Sequence, residues 1–120
     1  MANAGSPGAI DRAMASFDKS VAVGRRAIQA APNDQTIVLR VSSAERSYGE
    51  LLHTVKRYRD ALAHGQRALE LAEPLWQQDP QDRPARAAFL AANSTVGISE
   101  RALGETDASH LAAALPYLQR

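Results

Sequence analysis

A chain of 120 residues with a formal net charge of +1 suits one domain around one continuous core. Basic and acidic residues are interspersed, so no basic face marks the chain for nucleic acid. There is no cysteine, which excludes disulfides and thiol chemistry and fits a reducing, cytoplasmic setting. Apolar residues make up 45% and aromatics 5%, a composition that favours closely packed helices over a sheet.

The chain opens on Met-Ala-Asn-Ala-Gly-Ser-Pro-Gly, which reads as a flexible leader over residues 1–9 rather than a signal peptide. Ser6-Pro7 then has the form of a helix start. Ile10, Met14, Phe17, Val21, Ile28 and Ala31 follow steps of three and four, with Gly24 in the vacant place, and Pro32-Asn33-Asp34 ends that helix. In the second segment Ile37, Val41, Ala44, Tyr48, Leu51, Leu52 and Val55 share a face, with Asp34 as the cap and an end near Lys56-Arg57.

The third segment is the clearest: Tyr58, Ala61, Leu62, Gly65, Ala68, Leu69, Ala72, Leu75 and Trp76 recur at helical spacing. Pro74 predicts a kink or break inside it. Asp79-Pro80-Gln81-Asp82 is a turn, and Arg83-Pro84 opens a fourth segment with Ala85, Ala88, Phe89, Ala92, Val96 and Leu103 on its stripe. Gly104 reads as its stop, and Asp107 as the cap of a short fifth helix carrying Leu111, Ala114, Leu115 and Leu118. Short connections make successive helices antiparallel. No apolar run approaches the roughly 20 residues that span a bilayer, so no membrane role is expected.

An ungapped echo with a 48-residue offset runs through these segments. Ala13-Met14-Ala15 returns as Ala61-Leu62-Ala63, Pro32-Asn33-Asp34 as Pro80-Gln81-Asp82, and Tyr48-Gly49 as Val96-Gly97. A fixed period of this size signals helical units that bury their apolar faces only by stacking. The glycines Gly49 and Gly97 then mark close approach of a neighbouring helix, since glycine costs about 1 kcal/mol against alanine within a helix. Gly65 stands where Phe17 stands one copy earlier, so a neighbouring large side chain is expected to fill its place.

Tyr48-Gly49, Ala61, Ala68 and Pro80 together resemble one unit of the tetratricopeptide repeat family, with Lys56 in place of its second glycine. Val96-Gly97 with Gly104 matches the first helix of a following unit, and Ala13, Phe17, Ser20 and Pro32 the second helix of a preceding one. The period exceeds the family's usual length of about 34 residues. The long second helix resembles arrays associated with bacterial serine/threonine kinases. The resemblance implies an all-α fold over residues 10–120, with about five helices paired as antiparallel hairpins in a short right-handed superhelix.

It also implies a protein-interaction scaffold, a docking or regulatory region of a larger bacterial signalling protein, that binds a peptide or helix on its concave face. That face would comprise Ser43, Arg46, Ser47, Glu50, His53 and Thr54 from one unit and Ala91, Ser94, Thr95, Ile98 and Arg101 from the next. The lysine and asparagine clamp of chaperone-binding relatives is absent, with Arg46-Ser47 and Ser94-Thr95 in its place. The alternative is self-association as a homodimer through the apolar face of residues 10–31.

No enzyme is expected. Glu50-Leu51-Leu52-His53 has the Glu-x-x-His spacing of di-metal bundles, but a single copy without further carboxylates predicts no metal. His64 and His110 lack a partner at ligand spacing and read as surface positions. No cofactor motif, phosphate loop or nucleophile–base pair is present. Trp76, on the stripe of its own helix, reads as core.

Overall fold

The computed structural model describes residues 7–118, with side chains over residues 8–106. It contains four helices and, among the described residues, no strand: α1 (Pro7–Ala30), α2 (Gln35–Thr54), α3 (Tyr58–Gln78) and α4 (Arg83–Leu118). Consecutive helices are antiparallel neighbours; α2 packs against α1, α3 and α4, and α3 also packs against α4.

The local signals explain most boundaries. Pro7 is the first residue of α1, as its fixed φ suits; residues 1–6 of the expected leader lie outside the described residues, and residues 7–9 are helical. Asp34 caps α2 by accepting from the Ile37 amide at 3.2 Å. Forty-eight residues on, Asp82 caps α4 through the Ala85 amide, also at 3.2 Å. Asp82 further accepts from Gln35 Nε2 at 2.6 Å, which ties the starts of α2 and α4 together. These two helices therefore run side by side in the same direction.

The corner after α2 is a paired-bond cap. The Arg57 amide donates to the Leu52 carbonyl at 2.8 Å and the Lys56 amide to the His53 carbonyl at 3.0 Å. That geometry needs a left-handed residue, and Lys56 supplies it with φ of 65°.

Four expectations are corrected, the one at Pro74 in part. There are four helices among the described residues, not about five. Gly104 keeps helical backbone, and α4 continues through it and through Pro116 for 36 residues in all. A glycine forgoes only about 1 kcal/mol of helix stability against alanine, and no proline follows Gly104 closely enough to stop the backbone ladder. Of the kink or break expected at Pro74, the break does not occur: α3 runs on to Gln78. Asp107 is accordingly helical rather than the cap of a new helix.

The 48-residue echo is visible in the packing. Phe17 stacks on Tyr48 across α1 and α2, with ring centroids 5.3 Å apart. At the counterpart position on α3, a Cβ on Gly65 would lie 3.3 Å from Val96 Cγ2 and 3.1 Å from Thr95 Cγ2, so α4 side chains fill the place. A Cβ on Gly24 would lie 2.7 Å from Val41 Cγ2. Their counterparts are Ala72, fully buried, and Phe89, which stacks on a half-buried Trp76 at 4.6 Å. The same helix pair thus recurs in the same register, with side-chain volume redistributed between the copies. Val21, Tyr48, Leu52 and Ala61 form the core beside Met14 and Phe17.

Candidate functional site

A groove follows the line where α2 lies beside α4. At one end Ser43 and Arg46 of α2 face Pro84, Ala88 and Ala91 of α4 around a cavity of about 320 Å³. At the other end Glu50, His53 and Thr54 face Ser94, Thr95, Ile98 and Ser99 around a second cavity of about 290 Å³. Of the eleven residues expected on a concave face, nine line this one groove: Ser43, Arg46, Glu50, His53, Thr54, Ala91, Ser94, Thr95 and Ile98. Ser47 is half-buried and lines neither cavity, and Arg101 is exposed on α4 beyond Ile98 and also lines neither.

Helix geometry explains the alignment. Residues 43, 46, 50, 53 and 54 follow helical steps of three and four and so share one side of α2. Within that row Arg46 Nη1 donates to Glu50 Oε1 at 2.6 Å, an i,i+4 pair with the glutamate 59% exposed. Such a pair contributes about 0.3–0.5 kcal/mol at most, so its interest lies in the charges it presents to the groove. Ile98 is 46% exposed and gives the same end an apolar wall.

Two polar atoms at that end lack partners. His53 Nδ1 and Ser99 Oγ are buried, and neither has a hydrogen-bond partner among the described residues. Ser99 is fully buried. Burying an unpaired polar group costs about 1–3 kcal/mol; both atoms are closed to solvent, so an occupant of the groove reaches them only if the side chains turn outward. The hydroxyls of Thr54 and Thr95 donate to the carbonyls of Glu50 and Ala91, leaving lone pairs free to accept. The His53 ring lies against Tyr58, with centroids 5.1 Å apart.

Ser99 is the residue sequence reasoning missed. Its counterpart is Leu51, which belongs to an apolar stripe. A serine at an apolar place in the repeat was the available signal.

A second polar group of residues lies inside the stack. Glu45 is 1% exposed, and its carboxylate meets Arg25 Nη2 of α1 at 3.2 Å and His64 Nδ1 of α3 at 2.7 Å. A carboxylate only accepts, so Nδ1 carries the proton in this bond. His64 is therefore not a surface residue: its side chain is 17% exposed and its ring packs on Tyr48 with centroids 4.4 Å apart. The sequence hid this because the partner stands 19 residues away on a different helix. The Tyr48 hydroxyl donates to Asp18 Oδ1 at 2.8 Å. Burial, and then the bond to Asp18, push its pKa from 10.0 up to about 12.

Among the described residues no three His, Asp or Glu side chains gather as a metal site requires, and no helix is long and apolar enough to cross a membrane. His110 lies outside the residues whose side chains are described. No protein family model matches the chain, and no curated protein or solved structure matches it.

Proposed function

We propose that this chain is a non-catalytic protein-interaction scaffold of tetratricopeptide-like build, which holds an extended peptide or a helix in the groove between α2 and α4. The observation that carries the reading is the groove itself, lined where α2 lies beside α4 by Glu50, His53, Thr54, Ser94 and Ile98. A peptide supplies both donors and acceptors along its backbone, and Ile98 offers an apolar contact beside them. Arg46 and Glu50 add opposite charges one helical turn apart, which suits recognition of orientation as well as composition. The mechanism is geometric: a preformed groove binds without remodelling bonds or folding.

The test is selection of binding peptides from a random displayed library, followed by amide-shift mapping on the labelled chain. The reading expects the largest shifts at Glu50, His53, Ile98 and Ser99. Selected peptides that shift only α1 or the outer side of α3 would overturn it.

A further inference from the structure

Among the described residues, the second copy of the repeat carries a helix where the first has an open cleft. α2 packs against α3 and α4, and in those two helices Ala68, Ala72, Ala85 and Ala92 are fully buried. Ser42 Oγ donates to the Ala68 carbonyl at 2.9 Å, which fixes the crossing. The counterparts 48 residues earlier are Ser20, Gly24, Ile37 and Ala44. All four line an open cleft of about 460 Å³ between α1 and α2, and among the described residues no third helix lies across it. Val23, on the same cleft, is 56% exposed.

α4 has the complementary property. A Cβ on Gly49 of α2 would lie 3.1 Å from the Ala61 carbonyl, so α3 sits directly on α2 there; Gly97, its counterpart on α4, has nothing within 4 Å. Leu90 is the counterpart of Ser42 and is 52% exposed. α4 therefore repeats, in register, the face that α2 uses against α3, and that face is unoccupied among the described residues.

We propose that the chain associates head to tail with further copies of itself, residues 83–102 of one copy lying across the α1–α2 cleft of the next as α2 lies across α3 and α4. The contact inside one chain sets the register between chains. Ser42 over Ala68 becomes Leu90 over Ser20 of the next copy, one helical turn from its Val23. Val23 and Leu90, the two most exposed large apolar side chains among the described residues, are withdrawn from water by the same contact. Each copy offers one face and one cleft, so the interface is heterologous and extends into rows rather than closing as a two-fold dimer. Val23 and Leu90, which the test below changes, line neither cavity of the α2–α4 groove, so this inference and the function proposed above fail separately.

Sedimentation velocity on the purified chain, with Leu90→Arg and Val23→Arg variants checked for helicity, tests it. The wild-type chain is expected to form a concentration-dependent series of oligomers. Each variant alone is expected to associate at least about tenfold more weakly, as for loss of a central apolar contact. An equimolar mixture of the two variants regains one good face and one good cleft and is expected to form a 1:1 dimer that grows no further. A wild-type chain that stays monomeric to millimolar concentration would overturn the proposal, since the cleft would then serve another helix. So would a mixture no more associated than its components, which would point to a two-fold contact.

Discussion

A β-carbon on Gly49 would come within 3.1 Å of both the Ala61 carbonyl oxygen and Thr95 Cγ2, while one on Gly97 would meet open space. The neighbours of Gly49 are a backbone atom and a buried β-branched side chain, neither of which yields easily. Gly49→Ala is therefore expected to destabilise the chain by about 1 kcal/mol, overpacking outweighing the gain in helix propensity. Gly97→Ala is expected to stabilise it by up to about 1 kcal/mol. Urea unfolding of the two variants in dilute solution checks this, and equal signs would contradict it. Lys56 is the reverse case, a side chain where the corner wants none: it holds φ of 65° in the cap after α2. Lys56→Gly should raise stability by about 1 kcal/mol and the melting temperature by about 4 °C. An unchanged melting temperature would mean the corner is not held in the left-handed form.

Among the elements, α2 carries the most. It contributes Tyr48 and Leu52 to the core, the Glu45 carboxylate to the polar junction, and one wall of the groove. Its hold on α1 is partly titratable. The folded-state pKa of Tyr48 is raised above its ordinary value of 10.0 to about 12, so the folded chain binds that proton more tightly than the unfolded one. The contribution is complete below pH 10 and is lost as pH rises from 10 to about 12. Tyr48→Phe is expected to lose about 1 kcal/mol at neutral pH, from the missing bond to Asp18, and to flatten the alkaline decline in stability. A decline of the same slope in both proteins would assign it to other groups.

What the sequence disclosed follows the range of each interaction. Asp34 was legible as a cap because its partner amide is three residues away, and the Pro32-to-Asp34 turn because its chemistry is local. The Glu45–His64 bond was not, because only the packing of α2 on α3 brings those groups together. Gly104 misled because a glycine permits a helix stop without requiring one. Of the groove, the row on α2 was legible from helical spacing, while Ser99 was signalled only by its contrast with the leucine at its counterpart.

At the scale of the molecule, Gln35 and Asp82 pin the starts of α2 and α4 together, and the caps and packing repeat at 48 residues. Two parallel helices held in this way present a preformed cleft, so binding there need not order the backbone first. That is the central claim, and the charges of the groove test it. The double variant Arg46→Glu with Glu50→Arg retains an i,i+4 ion pair on α2, in the order that suits the helix dipole better, but reverses the charge order facing a bound peptide. Titration calorimetry with a library-selected charged peptide is predicted to show about tenfold weaker binding to this variant, with the unfolding midpoint unchanged. Unchanged affinity would contradict the account and move the binding surface away from α2 and α4.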